Sequence, residues 1–367
     1  MIKKIIFFIP NIDDGGIEKN LILLSNYFLK NNYKVEIIYS RISIKILRKL
    51  NAKVTLIKTI NFFNLNLLNE RINNTINCFI YCLLKIKFNK RSILFSMQDH
   101  PFGILLSIFK KVPSIIRIAN HPEGSLKFFN NFVKYKFKLF IKIFFYHFAS
   151  IIICNSKASS SYFKKSILIK KKIVTIYNPI KFKNYHSRFK RNKYELITIG
   201  RLEKQKNLEG LIKVIFIISK KIPQIKLTII GKGSQKKKLV NLVRDYKLKK
   251  NIIFKKFSKP DFFYKRKGIF VLNSLFEGLP NVLIECIQFK IPVISTNCLS
   301  GPSEILASGK YGTLVKVNDN FEMSKKIIEV IQNYKNATNK ANLAVKSLYR
   351  FNLDRQCKKF KQVISQL

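Results

Sequence analysis

The sequence predicts two doubly wound α/β domains, each built on a parallel sheet with helices on both faces. Short apolar runs rich in β-branched residues alternate with helical patterns along most of the chain. The alternation stops once, at 181–194, where the chain is polar, basic and without periodicity, and then restarts. The length of 367 residues, with 47% of them hydrophobic, favours two sizeable cores over one.

The apolar runs predict the strands of both sheets. In the N-terminal half they lie at 3–9, 34–40, 53–58, 92–96, 114–118, 150–154 and 173–177. In the C-terminal half they lie at 195–200, 226–231, 251–257, 268–273 and 291–296. A helix is predicted from Asn207 to about Lys221, because its apolar residues share one face and Pro223 follows its end. The tail, 338–367, is predicted to be helical throughout. We interpret 181–194 as a linker between the domains.

The charge of the chain is strongly unbalanced. Seventy Lys and Arg residues oppose 19 Asp and Glu residues, a formal net charge of +51. Such a field attracts polyanions, which include nucleic acid, anionic lipid headgroups and phosphorylated substrates. The abundance of Lys, Ile, Asn and Phe is also the usage of an AT-rich coding sequence. A functional charge and a codon bias therefore both remain open.

The cysteines and the N-terminus exclude several classes. The six cysteines are scattered without a CxxC pair, which favours reduced cytosolic thiols over a disulfide framework or a metal site. The N-terminal MIKKIIFFIPN has too short an apolar run for a signal peptide and predicts a first strand instead. No uncharged apolar run approaches the roughly 18 residues that span a bilayer.

The stretch FEGLPNVLIE at 276–285 has the pattern of a ligand-binding loop followed by a helix. Gly278 and Pro280 predict a turn after the strand at 268–273, and Asn281 is predicted to be the N-cap of the helix that follows. Such a helix start presents free amides and a positive dipole end to phosphate. Glu277 lies before the helix and Glu285 about one turn inside it, so both are placed to accept hydrogen bonds from sugar hydroxyls.

A second candidate segment is IGRLEKQKN at 199–207. Arg201 and Lys206 follow a predicted strand and precede a predicted helix, where they are placed to pair with a diphosphate. The alternative is that they are solvated loop residues in a very basic chain. No Asp-x-Asp stands at a predicted strand end, so neither a metal nor another cofactor is expected.

These segments together resemble glycosyltransferase family 4. The resemblance is carried by GRLEKQKN, IGKGSQKKKL, SLFEGLPNVLIE, PVISTNCLSGPSEIL and YGTLV, which cover most of 196–317. It implies a GT-B fold of two Rossmann-like domains facing a cleft, with a C-terminal helix that crosses back to the N-terminal domain. The implied domains are 1–182 with about 350–367 on the acceptor side, and 183–349 for the donor. It also implies a retaining transfer from a nucleotide-diphosphate sugar without a metal.

The resemblance implies a role for each residue of the motifs. Arg201 and Lys206 would hold the diphosphate and stabilise the leaving group, and Glu277 would contact hydroxyls of the donor sugar. Glu285 would contact the ribose. Further donor-site residues, most of them through the backbone, would be Gly15, Gly16, Gly200, Gly278, Asn281, Val282 and Leu283. Gly231 and Gly233 lie near the nucleotide, although a lone GxG is more often a turn.

The resemblance also implies a histidine of the N-terminal domain that touches the donor sugar. His121 and His100 both follow predicted strands, and we favour His121 as the catalytic one. His147 lies in an apolar helical pattern and is interpreted as structural. Asp99 and Arg117 are candidate acceptor contacts.

The region after residue 123 predicts a membrane contact. Residues 124–194 contain 17 Lys and Arg and no Asp or Glu, and 126–148 mixes aromatics with lysines at near-helical spacing. A basic amphipathic helix of this kind suits an anionic membrane surface. The alternative is an ordinary domain helix made more basic by codon bias. We expect a cytoplasmic enzyme, peripheral on the inner face of the cell membrane.

The predicted function is the transfer of a hexose or N-acetylhexosamine in surface polysaccharide synthesis. The expected donor is a nucleotide-diphosphate sugar, with UDP-sugar favoured, and the expected acceptor is a glycan or a polyprenyl-linked oligosaccharide. Alternatives are a sugar-nucleotide epimerase of the same fold, a phosphorylase and a non-catalytic partner. A nucleic-acid-binding protein would explain the charge but not Glu277 and Glu285, so no nucleic-acid partner is expected.

Overall fold

The structure is a computed structural model that describes residues 2–13, 15–63, 69–122, 132–166, 172–182, 191–256, 264 and 267–367. The described residues form two compact units. The N-terminal unit contains those up to Ile180 and the segment Phe351–Leu367, and the C-terminal unit contains those from Lys181 to Arg350. The sequence analysis placed the division after residue 182 and the return at about residue 350.

The N-terminal unit is built on a seven-stranded sheet whose paired strands are all parallel, in the order β5-β3-β1-β6-β7-β8-β9. Its strands, with a short parallel pair formed by β2 and β4, are β1 Lys4–Phe8, β2 Asn11–Ile12, β3 Lys34–Tyr39, β4 Arg41–Ile42, β5 Thr55–Lys58, β6 Ser92–Ser96, β7 Ser114–Ile118, β8 Ile151–Cys154 and β9 Ile173–Thr175. Its helices up to Ile180 are α1 Gly16–Lys30, α2 Ile44–Leu47, α3 Glu70–Lys85, α4 Phe102–Phe109, α5 Phe132–Tyr146 and α6 Lys157–Ser166.

The C-terminal unit is built on a six-stranded parallel sheet in the order β12-β11-β10-β13-β14-β15. Its strands are β10 Asn192–Ile199, β11 Lys226–Ile230, β12 Ile252–Lys255, β13 Lys267–Leu272, β14 Val293–Thr296 and β15 Thr313–Val315. Its helices are α7 Leu208–Ser219, α8 Lys236–Asp245, α9 Asn281–Gln288, α10 Pro302–Ile305, α11 Asn320–Gln332 and α12 Tyr334–Ser347.

Each sheet is buried on both faces, which explains why its strands are continuous apolar runs. Alternate residues of β1 enter different cores: Ile5 and Phe7 pack with α1, whereas Ile6 and Phe8 pack on the opposite face. The prediction of two parallel doubly wound α/β domains is therefore confirmed.

The last helix, α13 Leu353–Ser365, belongs to the N-terminal unit. Asn352 caps it by accepting hydrogen bonds from the amides of Asp354 (3.0 Å) and Arg355 (3.2 Å). Phe360 is fully buried in the core that also contains β1 and α1. The predicted return of the C-terminal helix to the N-terminal domain is thus confirmed.

Several element boundaries differ from the prediction. The tail is not one helix, because a 3₁₀ turn at Leu348–Phe351 separates α12 from α13. Strand β10 begins at Asn192, inside the predicted linker, and 183–190 of that linker lie outside the described residues. Of the predicted helix at 126–148, the structure describes α5, and 126–131 lie outside the described residues. Within the described ranges, no helix is both long and apolar enough to cross a membrane.

Candidate active site

The candidate site of the C-terminal unit lies where two neighbouring strands end. Strands β10 and β13 are adjacent, and the chain runs from them in opposite directions across the sheet. A crevice outside the carboxyl ends of the strands is the usual ligand position at such a switch point. The loops that follow the two strands, 200–207 and 273–280, carry five of the predicted site residues: Gly200, Arg201, Lys206, Glu277 and Gly278.

Lys206 and Glu277 form an ion pair between these two loops. The Lys206 Nζ lies 2.5 Å from the Glu277 Oε1, and their side chains are only 14% and 8% exposed. Ser274 donates a hydrogen bond of 2.6 Å from its Oγ to the same carboxylate oxygen. Its carbonyl accepts one from the Thr296 Oγ1 at 2.6 Å. The carboxylate is therefore fixed by two donors, as a side chain that has to meet a ligand in one orientation should be.

Backbone and side-chain bonds join the two loops at three further points. The Leu275 amide donates to the Gln205 carbonyl (2.8 Å), and the Asn273 side chain donates to the Asn207 carbonyl (3.1 Å). The side-chain amide of Gln205 donates to the carbonyl of Phe276 (2.8 Å). The two loops therefore form one bonded layer above the strand ends.

Asn207 ends the first loop as the predicted cap of α7. Its backbone is left-handed (φ +45°), a conformation that Asn tolerates better than most residues. Its side chain accepts a hydrogen bond of 3.3 Å from the Gly210 amide, which satisfies one orphan donor of the first turn.

Glycines allow the loops to approach one another. A Cβ on Gly231 would lie 1.9 Å from the Gly200 carbonyl oxygen, and one on Gly233 would lie 2.5 Å from the Leu202 carbonyl oxygen. The GxG that the sequence analysis took as a weak signal is therefore required by packing. Gly200 leaves room for the Lys206 stem, because an added Cβ would lie 3.1 Å from its Cε.

The start of α9 differs from the prediction. Asn281 is not the N-cap but the first helical residue, and Pro280 occupies the cap position without a side-chain cap bond. The amide of Leu283 donates to the Pro280 carbonyl at 3.0 Å, so in this structure it is already used within the chain. Asn281 and Val282 are half-buried in the first turn, and their contribution to a phosphate site stays a prediction.

Glu285 lies one turn into α9 and is held by Tyr264. The Tyr264 hydroxyl donates to the Glu285 Oε2 at 3.2 Å, and that tyrosine is buried. Burial raises the pKa of Tyr264 well above its usual value, so the hydroxyl keeps its proton for this bond. Tyr264 was not predicted as a site residue, because no motif in the sequence around it indicates a contact with Glu285.

The N-terminal unit holds the remaining predicted site residues. Gly15 precedes α1, with Gly16 as the first helical residue, and a Cβ on Gly15 would lie 2.8 Å from the Glu18 Oε2. Glu18 is buried and accepts a hydrogen bond of 3.2 Å from the Asp13 amide. Burial raises the pKa of Glu18. Because residue 15 is a glycine, the buried Glu18 carboxylate has room to accept the hydrogen bond from the Asp13 amide before α1.

The two histidines that follow strands have different surroundings. His121 is buried and meets the Tyr162 ring edge-on, with centroids 5.3 Å apart. His100 packs edge-on against Phe8, and burial lowers its pKa to about 4, so its imidazole is neutral at pH 7. The preference for His121 stays a prediction. His147 contacts the Ile143 carbonyl of its own helix at 2.9 Å.

The two candidate acceptor residues are engaged within the N-terminal unit. The Asp99 carboxylate accepts hydrogen bonds from the Tyr146 hydroxyl and from the Lys142 Nζ, the latter at 3.1 Å, both on α5. Arg117 is 1% exposed and donates to the Asn178 side chain. Its Nε and Nη1 have no hydrogen-bond partner in the described part of the chain, and burial lowers its pKa to about 10. An acceptor role for either stays a prediction.

The structure thus divides the predicted residues between the two units. The C-terminal unit contains Gly200, Arg201, Lys206, Glu277, Gly278, Asn281, Val282, Leu283 and Glu285, and the N-terminal unit contains Gly15, Gly16, Asp99, Arg117 and His121. Among the described residues, no group of three or more His, Cys, Asp or Glu side chains is arranged to hold a metal ion.

Comparison with known proteins finds similarity over both halves. The family model described as "Glycosyl transferases group 1" matches residues 181–346. An uncharacterized glycosyltransferase of Methanocaldococcus jannaschii is 37% identical over 273 residues, 64% of this chain and 66% of the relative. An uncharacterized glycosyltransferase of Haemophilus influenzae is 29% identical over 162 residues, 44% of this chain and 46% of the relative. The chain therefore spans less than two thirds of each of these two relatives.

A further relative is matched over most of its length. An alpha-1,4-N-acetyl-D-galactosaminyltransferase of Campylobacter jejuni, named for a diNAcBac-PP-undecaprenol-linked substrate, is 25% identical over 340 residues, 91% of this chain and 90% of the relative.

Solved structures share the fold at low sequence identity. The crystal structure of Staphylococcus aureus TarM superposes with a TM-score of 0.81 at 17% identity, over 99% of this chain and 99% of that chain. Anabaena HepE in complex with UDP-glucose superposes with a TM-score of 0.80 at 17% identity, over 99% of this chain and 100% of that chain. At this identity the likeness shows the fold alone.

Proposed function

The chain belongs to the group 1 glycosyltransferases, and from this we propose that it transfers a sugar with retention from a nucleoside-diphosphate donor to a glycan or lipid-linked acceptor. The observation that carries the proposal is the Lys206–Glu277 pair with Arg201 beside it, on two bonded loops at the switch point of the C-terminal sheet. Arg201 and Lys206 line one pocket and Glu277 is paired with Lys206, which supports binding of a sugar diphosphate by these residues.

In the proposed reaction the bond between the anomeric carbon and the diphosphate oxygen breaks. The acceptor hydroxyl oxygen bonds to the same carbon from the same face, and its proton passes to the departing phosphate. Charge develops on the diphosphate, and Arg201 and Lys206 stabilise it in place of a metal ion. Glu277 accepts hydrogen bonds from donor hydroxyls and keeps the sugar in register with these cations.

The proposed donor is a UDP-linked hexose or N-acetylhexosamine, and the proposed pathway is surface polysaccharide synthesis. The names of similar proteins support this choice. HepE was solved with UDP-glucose, and relatives include the Campylobacter N-acetylgalactosaminyltransferase and an amylovoran biosynthesis glycosyltransferase of Erwinia amylovora. The name of the Campylobacter relative also supports the proposal of a polyprenyl diphosphate-linked acceptor.

The test is donor binding and transfer in matched variants. UDP-, GDP- and ADP-sugars are screened by thermal shift, and transfer is then measured with the donor that binds. Glu277→Gln keeps the size of the side chain but removes its charge, and we expect transfer to fall by about 10²–10³-fold. Glu209→Gln is the control, because Glu209 makes an exposed ion pair with Lys238 in the same unit. Equal transfer in both variants contradicts the assignment.

We further propose that the N-terminal unit binds the anionic inner face of the cell membrane through helix α5. The aromatic stripe of α5 comprises Val133, Phe137, Phe140, Phe144 and, just beyond the helix, Phe148, which are 53–76% exposed. The spacing of four, three, four and four residues puts these side chains on one face. Lys136 and Lys138 are also exposed, so the stripe carries cations beside its apolar groups, as an interfacial helix does.

Vesicle sedimentation tests the membrane proposal. We expect the protein to bind vesicles of phosphatidylcholine with phosphatidylglycerol, and Phe140→Ser with Phe144→Ser to release it. Phe321→Ser is the control, because Phe321 is 73% exposed on the C-terminal unit. If the double variant instead dissociates a dimer while vesicle binding is unchanged, the stripe joins two copies and the proposal is wrong. Binding of the protein to single-stranded DNA, a second polyanion, is measured in parallel. Binding to DNA but not to vesicles would favour a nucleic-acid-binding protein.

A further inference from the structure

Gln205 connects the two loops of the candidate site through both ends of its side-chain amide. Its Oε1 accepts a hydrogen bond of 3.0 Å from the Arg201 Nη2. Its Nε2 donates one of 2.8 Å to the carbonyl of Phe276, the residue before Glu277. Its backbone carbonyl also accepts from the Leu275 amide at 2.8 Å. One residue thus bonds to the guanidinium on the first loop and to the backbone beside the carboxylate on the second.

Arg201 needs such a partner because it is exposed at the surface of the unit. A long exposed side chain loses rotamer freedom when it binds a ligand, and a bond that orients it beforehand reduces that loss. In the described part of the chain, the guanidinium donates to Gln205. The remaining nitrogens of its fork stay available for the two oxygens of a phosphate.

The chemical type of this partner matters as much as its position. An amide oxygen orients a guanidinium without neutralising it, whereas a carboxylate would form an ion pair and compete with an incoming phosphate. The acidic residues nearby are both occupied elsewhere. Glu203 accepts from the Ser234 amide (2.9 Å) and hydroxyl (2.7 Å), and Glu277 is paired with Lys206.

We propose that Gln205 is a positioning residue for the diphosphate of the donor: it orients Arg201 at full charge and fixes the backbone beside Glu277 in the same layer. This inference rests on the proposed function for the identity of the ligand. The arrangement needs a side chain with one acceptor and one donor end, which Gln provides and Glu does not at neutral pH.

Two substitutions separate orientation from charge, and pyrophosphate is the probe common to all nucleoside-diphosphate donors. Gln205→Glu keeps an acceptor for Arg201, loses the donor to Phe276 and adds a negative charge. We expect it to weaken pyrophosphate and UDP binding about tenfold at pH 7.5, measured by calorimetry. The ratio of wild-type to Gln205→Glu affinity should fall as the ionic strength is raised at this pH, because salt screens a charge added beside the exposed Arg201. Gln205→Met keeps the charge of Arg201 but not its orientation, and we expect a lower kcat with a smaller change in the donor KM.

Gln235→Glu is the control, because it adds the same charge to the same unit at the half-buried N-cap position of α8. We expect it to bind pyrophosphate as the wild type does. If Gln235→Glu weakens binding as much as Gln205→Glu, the effect is one of net charge and the inference is wrong.

Arg201→Gln distinguishes failure of this inference from failure of the proposed function. If it weakens pyrophosphate binding while both Gln205 variants bind and turn over as the wild type, Gln205 has no positioning role and the proposed function stands. If Arg201→Gln itself leaves pyrophosphate binding unchanged, the diphosphate site is wrong and the inference fails with it. Melting temperatures show whether each variant is folded, and the salt dependence of Gln205→Glu is a readout that a structural role alone would not give.

Discussion

At the scale of single residues, the ion pair of Lys206 and Glu277 determines which substitutions can test the candidate site. Lys206 and Glu277 are both largely removed from water, which is tolerable only while each has its partner. Removing the carboxylate altogether leaves a buried ammonium group, and breaking a buried pair in this way costs about 3–5 kcal/mol. An alanine at 277 therefore mixes loss of fold with loss of function. The isosteric amide used above still accepts a hydrogen bond from the lysine.

Arg117 is the opposite case, a buried cation with little to compensate it. In the described part of the chain, the guanidinium donates one hydrogen bond, to the Asn178 side-chain oxygen, and two of its nitrogens have no partner. Burying a charge without a counter-charge lowers the free energy of unfolding. We expect Arg117→Met, which keeps much of the volume, to leave the free energy of unfolding unchanged or to raise it by about 1–3 kcal/mol, measured by urea denaturation.

Ile116→Met is the control for Arg117→Met, since Ile116 is also fully buried on β7 and changes shape without changing charge. A destabilisation of Arg117→Met larger than that of this control would mean that the guanidinium stabilises the fold. Transfer assays of the same variant test the predicted acceptor role independently, because residues that cost stability are often kept for function.

At the scale of elements, Gly301, in the segment after β14, determines how closely the loop before α9 packs. Gly301 has φ +89°, and a Cβ there would lie 2.2 Å from the carbonyl oxygen of Gly278. That carbonyl also accepts a hydrogen bond of 2.9 Å from the Ser300 Oγ. The loop that carries Glu277 therefore packs directly on this turn.

We expect Gly301→Ala to displace this loop and to reduce UDP binding together with stability. The positive φ alone costs about 1 kcal/mol or more for a residue with a side chain, and the clash with Gly278 adds to it. Gly309→Ala is the matched control, because Gly309 has φ +99° but the nearest atom to its Cβ is 3.8 Å away. Melting temperature and UDP affinity are measured on both. A UDP affinity in Gly301→Ala that equals that of Gly309→Ala would show that the turn does not shape the site.

The strands and helices also show how much of the fold could be predicted from the sequence. Buried parallel strands are continuous apolar runs, so twelve of the thirteen strands described in the two large sheets were predicted close to their observed ends. Strand β15 was not predicted, because its three residues lie in no longer apolar run, whereas the equally short β9 lies within the apolar run 173–177; YGTLV was noted only as a motif. Asn281 was expected at the N-cap from its side chain, but Pro280 has the extended backbone that the cap position requires. Gln205 and Tyr264 were missed because their roles depend on loops and helices distant in sequence.

At the scale of the whole molecule, the excess charge and the candidate site are separate features. The net charge of +51 attracts any polyanion and is screened by salt, whereas the hydrogen-bonded loops at 200–207 and 273–280 are proposed to recognise one kind of ligand by geometry. In the proposed function, the charge and the exposed stripe of α5 determine where the protein binds, and the two loops bind the donor.

The chain also shows that a unit need not be continuous in sequence. Helix α13 contributes to the core of the N-terminal unit, where Phe351, Cys357, Phe360 and Ile364 are fully buried. The Gln356 side chain accepts a hydrogen bond of 3.0 Å from the Tyr177 amide, so the helix also satisfies the backbone after β9. The last 17 residues are thus structural for a unit whose other residues end at Ile180.

Deleting residues 351–367 should therefore unfold the N-terminal unit and leave the C-terminal unit folded. Loss of one large buried side chain costs about 2–5 kcal/mol, and several are lost together from a domain whose stability is about 5–15 kcal/mol. Hydrogen exchange followed by mass spectrometry reads each unit separately: we expect β1 and β6 to lose protection while β10 and β13 keep theirs. Deleting only Gln366 and Leu367, which are exposed, is the control and should change neither. Retained protection of β1 in the longer deletion would mean that the N-terminal sheet is stable without α13, and that the contacts of the helix contribute little to that core.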